Sequence, residues 1–277
     1  QALTPERIQQ AARQYLLPEQ AYIVVVGDAG AVAGPLERIA PVVPYNQKGA
    51  PIENAELSVP EGLTAMDVID HYIEAIGGAE RLEAVEDIAT KMSTTVQGMA
   101  MDMNMKQKAS GKMSMVVKMN GSVVNETRFD GDKAMVSAMG QKQILEGEDA
   151  AAMKARALIF PELEYGKSDY KLVLEGAEKL EDTPVYKLSI TGPDGNTTTA
   201  YFEVDSGLKI KSVASQEGPQ GEVTVTNRFS DYREIDGVMV PFETKSEGMA
   251  PFPMTLKVEE VKINTGIDDA IFKVEEE

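Results

Sequence analysis

The chain has 277 residues, 45 acidic against 27 basic, a formal net charge of −18, and neither cysteine nor tryptophan. That acidity argues against nucleic acid or an anionic membrane surface as a partner, since either would repel it. Without cysteine there are no disulfides and no cysteine–zinc sites, and no apolar run approaches the roughly 18 residues that span a bilayer.

No signal peptide is visible. The chain opens at Gln1, one step from a helix start, with no methionine and no leader, so Gln1 is expected to be a cut end with a leader or a domain before it. Residues 4–17 predict a helix: Thr4 caps it, Pro5 suits the first helical position, and Ile8, Ala11, Ala12, Tyr15 and Leu16 share one face. Pro18 stops it. AYIVVVGD at 21–28 is a continuous apolar run of strand length, as expected of a strand buried on both faces. One helix, one such strand and a tail cannot bury that strand alone. Residues 1–45 therefore read as the C-terminal remnant of an α/β domain, and residues 46–63, which mix Pro, Gly and polar residues without a period, read as a linker.

A second helix starts at Thr64, with Asp67 placed for a capping box, a stripe of Val68, Ile69, Tyr72, Ile73 and Ile76, and a stop at Gly77-Gly78. From Ile88 the chain alternates as strands do. Asn120-Gly121, Asp130-Gly131, Asp194-Gly195 and Asp236-Gly237 each mark a hairpin. GEDAAAMKARALIFPEL at 147–163 interrupts the strands with an alanine-rich helix that ends before Pro161. The sum for 64–277 is one mainly antiparallel sheet of about eleven strands, curved and partly covered by helices.

No catalytic constellation emerges. The single histidine, His71, lies in HYIEA, and Ala75 stands where an H-x-x-E-H zinc helix needs its second histidine. Serines have no other histidine to act as base. The acid pairs Glu259-Glu260 and Asp268-Asp269 read as solvated surface. No catalytic residue, metal ligand or cofactor is assigned within the chain.

The stretch GMAMDMNMKQ at 98–107 is the unusual feature. Met99, Met101, Met103 and Met105 share one strand face by period two, and Met113, Met115, Val117 and Met119 repeat the pattern on the next strand. Thioethers are good Cu(I) ligands. No histidine or cysteine accompanies them, however, and neighbours along one strand face stand about 7 Å apart. Methionine adapts its shape to varied apolar partners, whereas leucine and isoleucine specify a fixed core better. These eight residues are the candidate ligand-binding set, with an ordinary sheet core as the alternative.

Two resemblances follow from particular phrases. Residues 4–49, with LTPERIQQAARQYLLPEQAYIVVVGDAG and the tail VVPYNQKG, resemble the C-terminal end of an insulinase/pitrilysin-type zinc peptidase domain. Residues 64–275, with DVIDHYIEAIGGAERLEAV, YFEVDSGLKIK, SDYREIDGVMVPF and VEEVKINTGIDDAIF, resemble the LolA/LolB-like lipoprotein carriers, which are half-barrels. Together they imply an exported protein of the periplasm or outer envelope of a Gram-negative bacterium. Its carrier-like half would bind a lipid, an acyl chain or a lipidated protein. An upstream peptidase-like domain would hold any zinc and decide whether the parent chain is an enzyme. The alternative is a non-catalytic part of such a peptidase that scaffolds or presents substrate and has no lipid ligand.

Overall fold

In the computed structural model, residues 59–277 are described apart from 97, 168, 219–220, 249–251 and 276–277, with only isolated positions before 59. The chain divides into two compact units, Gln1–Glu53 and Asn54–Glu277. Most of the first unit, and most of the linker expected at 46–63, lie outside the described residues. Within it, Pro5, Arg7 and Gln9 are helical, and the Arg7 amide donates to Thr4 Oγ1 at 3.4 Å, the cap read from sequence. The buried strand expected at 21–28 does not appear at its described positions: residues 23–26 are in no strand, and Val24 and Val26 are 85% and 96% exposed. No described strand lies beside them to take up their backbone hydrogen bonds.

In the second unit, Thr64 and Asp67 form the expected capping box: the Thr64 amide donates to Asp67 at 2.7 Å and the Asp67 amide to Thr64 Oγ1 at 3.2 Å. Helix α1 (Ala65–Ala75) buries Val68, Ile69, Tyr72 and Ile73, and α2 (Ala79–Glu83) adds Leu82. The end of α1 is docked through backbone: Met239 N donates to Ile76 O at 3.0 Å. Gly77 sits at φ 136°, where a Cβ would lie 2.6 Å from the carbonyl oxygen of Gly237. Gly77→Ala is therefore expected to lower the unfolding free energy by roughly 1–3 kcal/mol in urea titration. A change within a few tenths would mean that this junction yields freely.

The strands are β1 (Asp87–Val96), β2 (Met99–Lys108), β3 (Lys112–Met119), β4 (Ser122–Phe129), β5 (Ala134–Ala138), β6 (Gln141–Leu145), β7 (Lys171–Leu180), β8 (Thr183–Thr191), β9 (Thr197–Glu203), β10 (Lys209–Gly218), β11 (Gly221–Ile235), β12 (Val238–Glu247) and β13 (Met254–Ile263). They form one 13-stranded antiparallel sheet in the order β6-β5-β4-β3-β2-β1-β13-β12-β11-β10-β9-β8-β7. Two meanders, β1–β6 and β7–β13, are thus joined side by side by the β1–β13 pairing, with β6 and β7 at the two ends of the order. The sheet is open and curved, not closed into a barrel.

The class is as expected, but the strand number exceeds the expected figure of about eleven. The β7–β8 hairpin turns at Glu181-Asp182 with Glu181 at φ 59°, so it carries no glycine to announce it. The hairpins at Asn120-Gly121 and Asp236-Gly237 fall where expected, both residues of each pair having positive φ.

The interrupting helix ends before Pro161, as expected, and stops three residues short of Phe160. Helix α3 runs Glu148–Ala157, Leu158 is extended, and a 3-10 turn follows at Pro161–Glu164. Proline disfavours helical backbone at the residue before it, so Phe160 stays out of the helical region and separates this helix from the 3-10 turn. The core gathers beneath these helices. One cluster joins α1 and α2 to Leu188, Ile190, Ala200, Phe202 and Val238. A second joins α3, through Ala150 and Ala157, to Met113, Phe129 and Ala134. A third holds Ile88, Phe242 and Val261, and Ile159 packs against both this cluster and the first.

Candidate functional site

The register brings the methionines together. Met103 pairs with Met92 on β1 and Val117 on β3; Met105 pairs with Met115, Met101 with Met119, and Met99 with Val96. Side chains directly opposite on adjacent strands have Cβ atoms about 4.5–5.5 Å apart, closer than neighbours along one strand. The thioethers therefore form a continuous soft surface across β1, β2 and β3. Val258 extends it onto β13 opposite Met92. Lys91, Asp102, Lys106 and Lys118 lie on the reverse face.

Burial divides the set. Met99, Met101, Met103, Met105, Met115, Val117 and Met119 are half-buried. Met113 is only 4% exposed and belongs to the core under α3 with Phe129 and Ala134, so of the eight candidates it is the one sealed from solvent. Gln107, next along that face, donates from Nε2 to the carbonyls of Arg156 and Leu158 at 3.1 and 3.0 Å. That pins the end of α3 over the Met113 end of the field.

Two polar atoms interrupt this face. Asn125 on β4 stands opposite Val117 and Ala138, and its Oδ1 is buried with no hydrogen-bond partner among the described residues. Ser246 on β12 pairs with Met254, on the same face as Val258, and its Oγ is likewise buried without a partner. Neither stood out in sequence. In sequence Asn125 is one of two polar residues, with Thr127, in an alternation that ends on Phe129.

A third polar feature escaped sequence reasoning because its parts are far apart in the chain. Lys209 Nζ on β10 pairs with Glu162 Oε1 at 2.6 Å, their side chains 22% and 4% exposed. The ammonium lies 5.1 Å from the ring centre of Tyr72 and 5.7 Å from that of Phe229. Tyr232 donates to the Lys209 carbonyl at 2.6 Å. Burial pushes the Lys209 pKa down, but the Glu162 charge, the Tyr165 environment and the Glu162 hydrogen bond outweigh it and raise it above the ordinary value. Burial first, and then the Glu162 charge, holds the Tyr72 hydroxyl well above its usual range. The arrangement ties the 3-10 turn to the sheet. It offers no proton at neutral pH.

His71 is exposed on α1 and packs beside the Gly207 turn. Among the described residues no group of three or more His, Asp or Glu is placed to hold a metal ion, and no helix is long and apolar enough to cross a membrane. The acid pairs lie at the surface, as expected, and two of the four carboxylates make surface ion pairs. Glu260 meets Lys91 and Lys262 at 2.6 and 2.9 Å, and Asp269, in the 3-10 turn Asp269–Phe272, bridges Lys108 and Lys112 at 2.5 and 2.6 Å. Those two lysines lower the Asp269 pKa to about 2.

Two solved structures are similar over most of the sheet unit. A LolA-superfamily protein from Nitrosomonas europaea shares 15% identity, with 77% of this chain and 99% of that one covered and a TM-score of 0.53. A DUF1329-family protein from Desulfovibrio piger shares 14%, covering 76% and 97%, with a TM-score of 0.52. The fold is LolA-like. No family model matches the chain, and no curated protein sequence matches it. Neither structural likeness supports a peptidase segment in residues 4–49.

Proposed function

We propose that the methionine face binds an apolar ligand, an acyl chain or a lipidated partner, by burial alone. The observation that carries this reading is the contrast on one sheet face: Met113 is sealed in core, while Met99, Met101, Met103, Met105, Met115 and Met119 stay half-buried as a contiguous thioether surface. Burying a methionine side chain is worth roughly 1.5–3 kcal/mol. A surface of this kind left half-open holds back part of that free energy, which an apolar ligand would recover. The LolA-like fold supports a lipid or lipoprotein as that ligand, and with it a periplasmic or outer-envelope location. The runner-up is a substrate-presenting module of an insulinase-type peptidase with no lipid ligand, supported by the helix-then-VVVGD order in residues 4–49.

Met103→Glu tests the reading, because Met103 sits at the centre of the field. Titration with a fluorescent acyl-chain probe should show affinity reduced at least about tenfold, with thermal unfolding only modestly lowered, since a half-open wall lets a carboxylate stay hydrated. A plain core reverses the order: no probe binding by the wild type, and several kcal/mol of stability lost in the variant. Binding of extended peptides without acyl probes would favour the presenting module.

A further inference from the structure

The chain has no cysteine, so its sulfur occurs only as thioether, in 15 methionines. The fold sorts the described ones by access to water. Met113 and Met135 are core, 4% and 7% exposed. The six open methionines of β2 and β3 are half-buried, and so is Met92 on β1, the register partner of Met103. Met139, 91% exposed at the β5–β6 turn, belongs to no register pair and lies outside this field. A small oxidant dissolved in water therefore reaches the sulfurs of the face while those of the core stay closed to it.

We infer that the methionine face is an oxidation site, and that converting it to methionine sulfoxide releases the apolar ligand. This rests on the apolar-ligand reading above and gives that site a regulation. The oxidant is a two-electron oxygen donor, a hypohalous acid or a hydroperoxide. With hypochlorous acid, in net terms, one S–O bond forms and the O–Cl bond breaks. Sulfur gives up two electrons, chloride leaves with them, and the proton passes to water. With hydrogen peroxide the O–O bond breaks instead and the leaving group is water. Each sulfoxide replaces a flexible apolar side chain by a polar, chiral one. Its oxygen is hydrated on the open face, and a hydrocarbon chain laid over it strips that water and returns no hydrogen bond. Leucine, isoleucine or valine would bury as much apolar surface, and the β-branched pair suits strands better, but none of them carries sulfur to oxidise. Met113, sealed beneath α3 with Phe129 and Ala134, keeps that core apolar while the face turns polar. Oxidation thus acts on binding and spares the fold.

The test treats the full chain with limiting hypochlorous acid in one arm and hydrogen peroxide in another, and locates sulfoxide by peptide mass spectrometry. Affinity for a dansylated fatty acid is titrated before and after. Sulfoxide should appear on Met139 and on the β2–β3 face well before Met113. As the face oxidises, affinity should fall at least about tenfold with the melting temperature little changed. The arm that reaches this at the lower molar ratio identifies the oxidant. The two methionine sulfoxide reductases, one for each epimer, should restore binding. Protein saturated with the fatty acid should be protected on the face and still oxidised at Met139. Met139→Leu should respond to oxidant as the wild type does. The triple variant Met101→Leu, Met103→Leu, Met105→Leu, compared with its own untreated form, should lose affinity by a smaller factor. Full affinity with the face oxidised, oxidation of Met113 in step with the face, or an affinity loss that follows unfolding would overturn the inference and leave the apolar-ligand reading standing. So would a response abolished by Met139→Leu. Untreated wild type that binds no fatty acid would remove the apolar-ligand reading and the inference with it.

Discussion

Asp87→Ala is expected to cost the sheet unit about 3–5 kcal/mol of unfolding free energy, a large share of the roughly 5–15 kcal/mol that holds a domain folded. Asp87 opens β1, is 2% exposed, and accepts from four donors of one turn: the Thr265 amide at 2.9 Å, the Thr265 hydroxyl at 3.1 Å, the Gly266 amide at 2.9 Å and the Ile267 amide at 3.1 Å. Next to it, Asn264 accepts from the Glu86 amide at 2.7 Å and donates to the Ala84 carbonyl at 3.1 Å. This knot holds the exit of β13 against the entry of β1, the one seam between the two meanders. Removing the carboxylate leaves four part-buried donors of that turn without their acceptor at once, each costing up to about 1–3 kcal/mol where water does not reach it. Urea unfolding followed by circular dichroism reads the effect, and a loss under about 1 kcal/mol would show that the turn finds other acceptors.

The same carboxylate predicts a pH dependence. Burial pushes the Asp87 pKa up, but the hydrogen bonds from Thr265, Ile267 and Gly266 together outweigh it and hold it below the ordinary value. A folded-state pKa below the unfolded one, about 3.9, gives stability that is complete above that value and is lost as pH falls through the depressed folded pKa. Wild-type protein should lose stability on acidification below about pH 4, and Asp87→Asn should lose less over the same range.

Lys209→Met should cost a similar amount, roughly 3–5 kcal/mol, because it leaves Glu162 charged and almost wholly buried. The double variant Lys209→Met with Glu162→Gln should recover most of that loss, since the penalty lies in the unpaired charge. Limited proteolysis gives a second readout: the single variant should be cut sooner near residues 158–165, the segment that the pair ties to β10. Equal destabilisation in the single and double variants would show that packing of the lysine stem, not the ion pair, is what holds. The pKa of Lys209 is raised, so its contribution is complete below the ordinary lysine value of about 10.4 and is lost only as pH rises past the folded value. Lys209 should therefore add no slope to stability between about pH 6 and 9.

Much of this molecule is written locally. The Thr64–Asp67 box, the α1 stripe, the strand alternation and the glycine hairpins each depend on residues within a few positions of one another, and each stands where the spacing puts it. The methionine row is of the same kind, because period two alone sends Met99, Met101, Met103 and Met105 to one face. What period two leaves open is how far that face is covered. α3 seals Met113 while its neighbours stay half-buried, and this follows from where a helix between β6 and β7 lies on the sheet.

The decisive contacts join residues that no local pattern connects. β1 meets β13 across the length of the sheet unit, Asp87 collects donors from 265–267, and Lys209 finds Glu162 under Tyr72. Asn125 passes in sequence as one polar residue among strand positions, and only the register against Val117 and Ala138 makes its oxygen an orphan on an apolar face. By itself the sequence determined the capped helix, the alternating strands, the glycine-marked hairpins and the chemistry of the face, because periodicity and turn propensity act over a few residues. The tertiary structure alone decided which buried charges pair, which methionine is core and which amide lacks a partner, because burial and pairing depend on strands brought together from opposite ends of the unit.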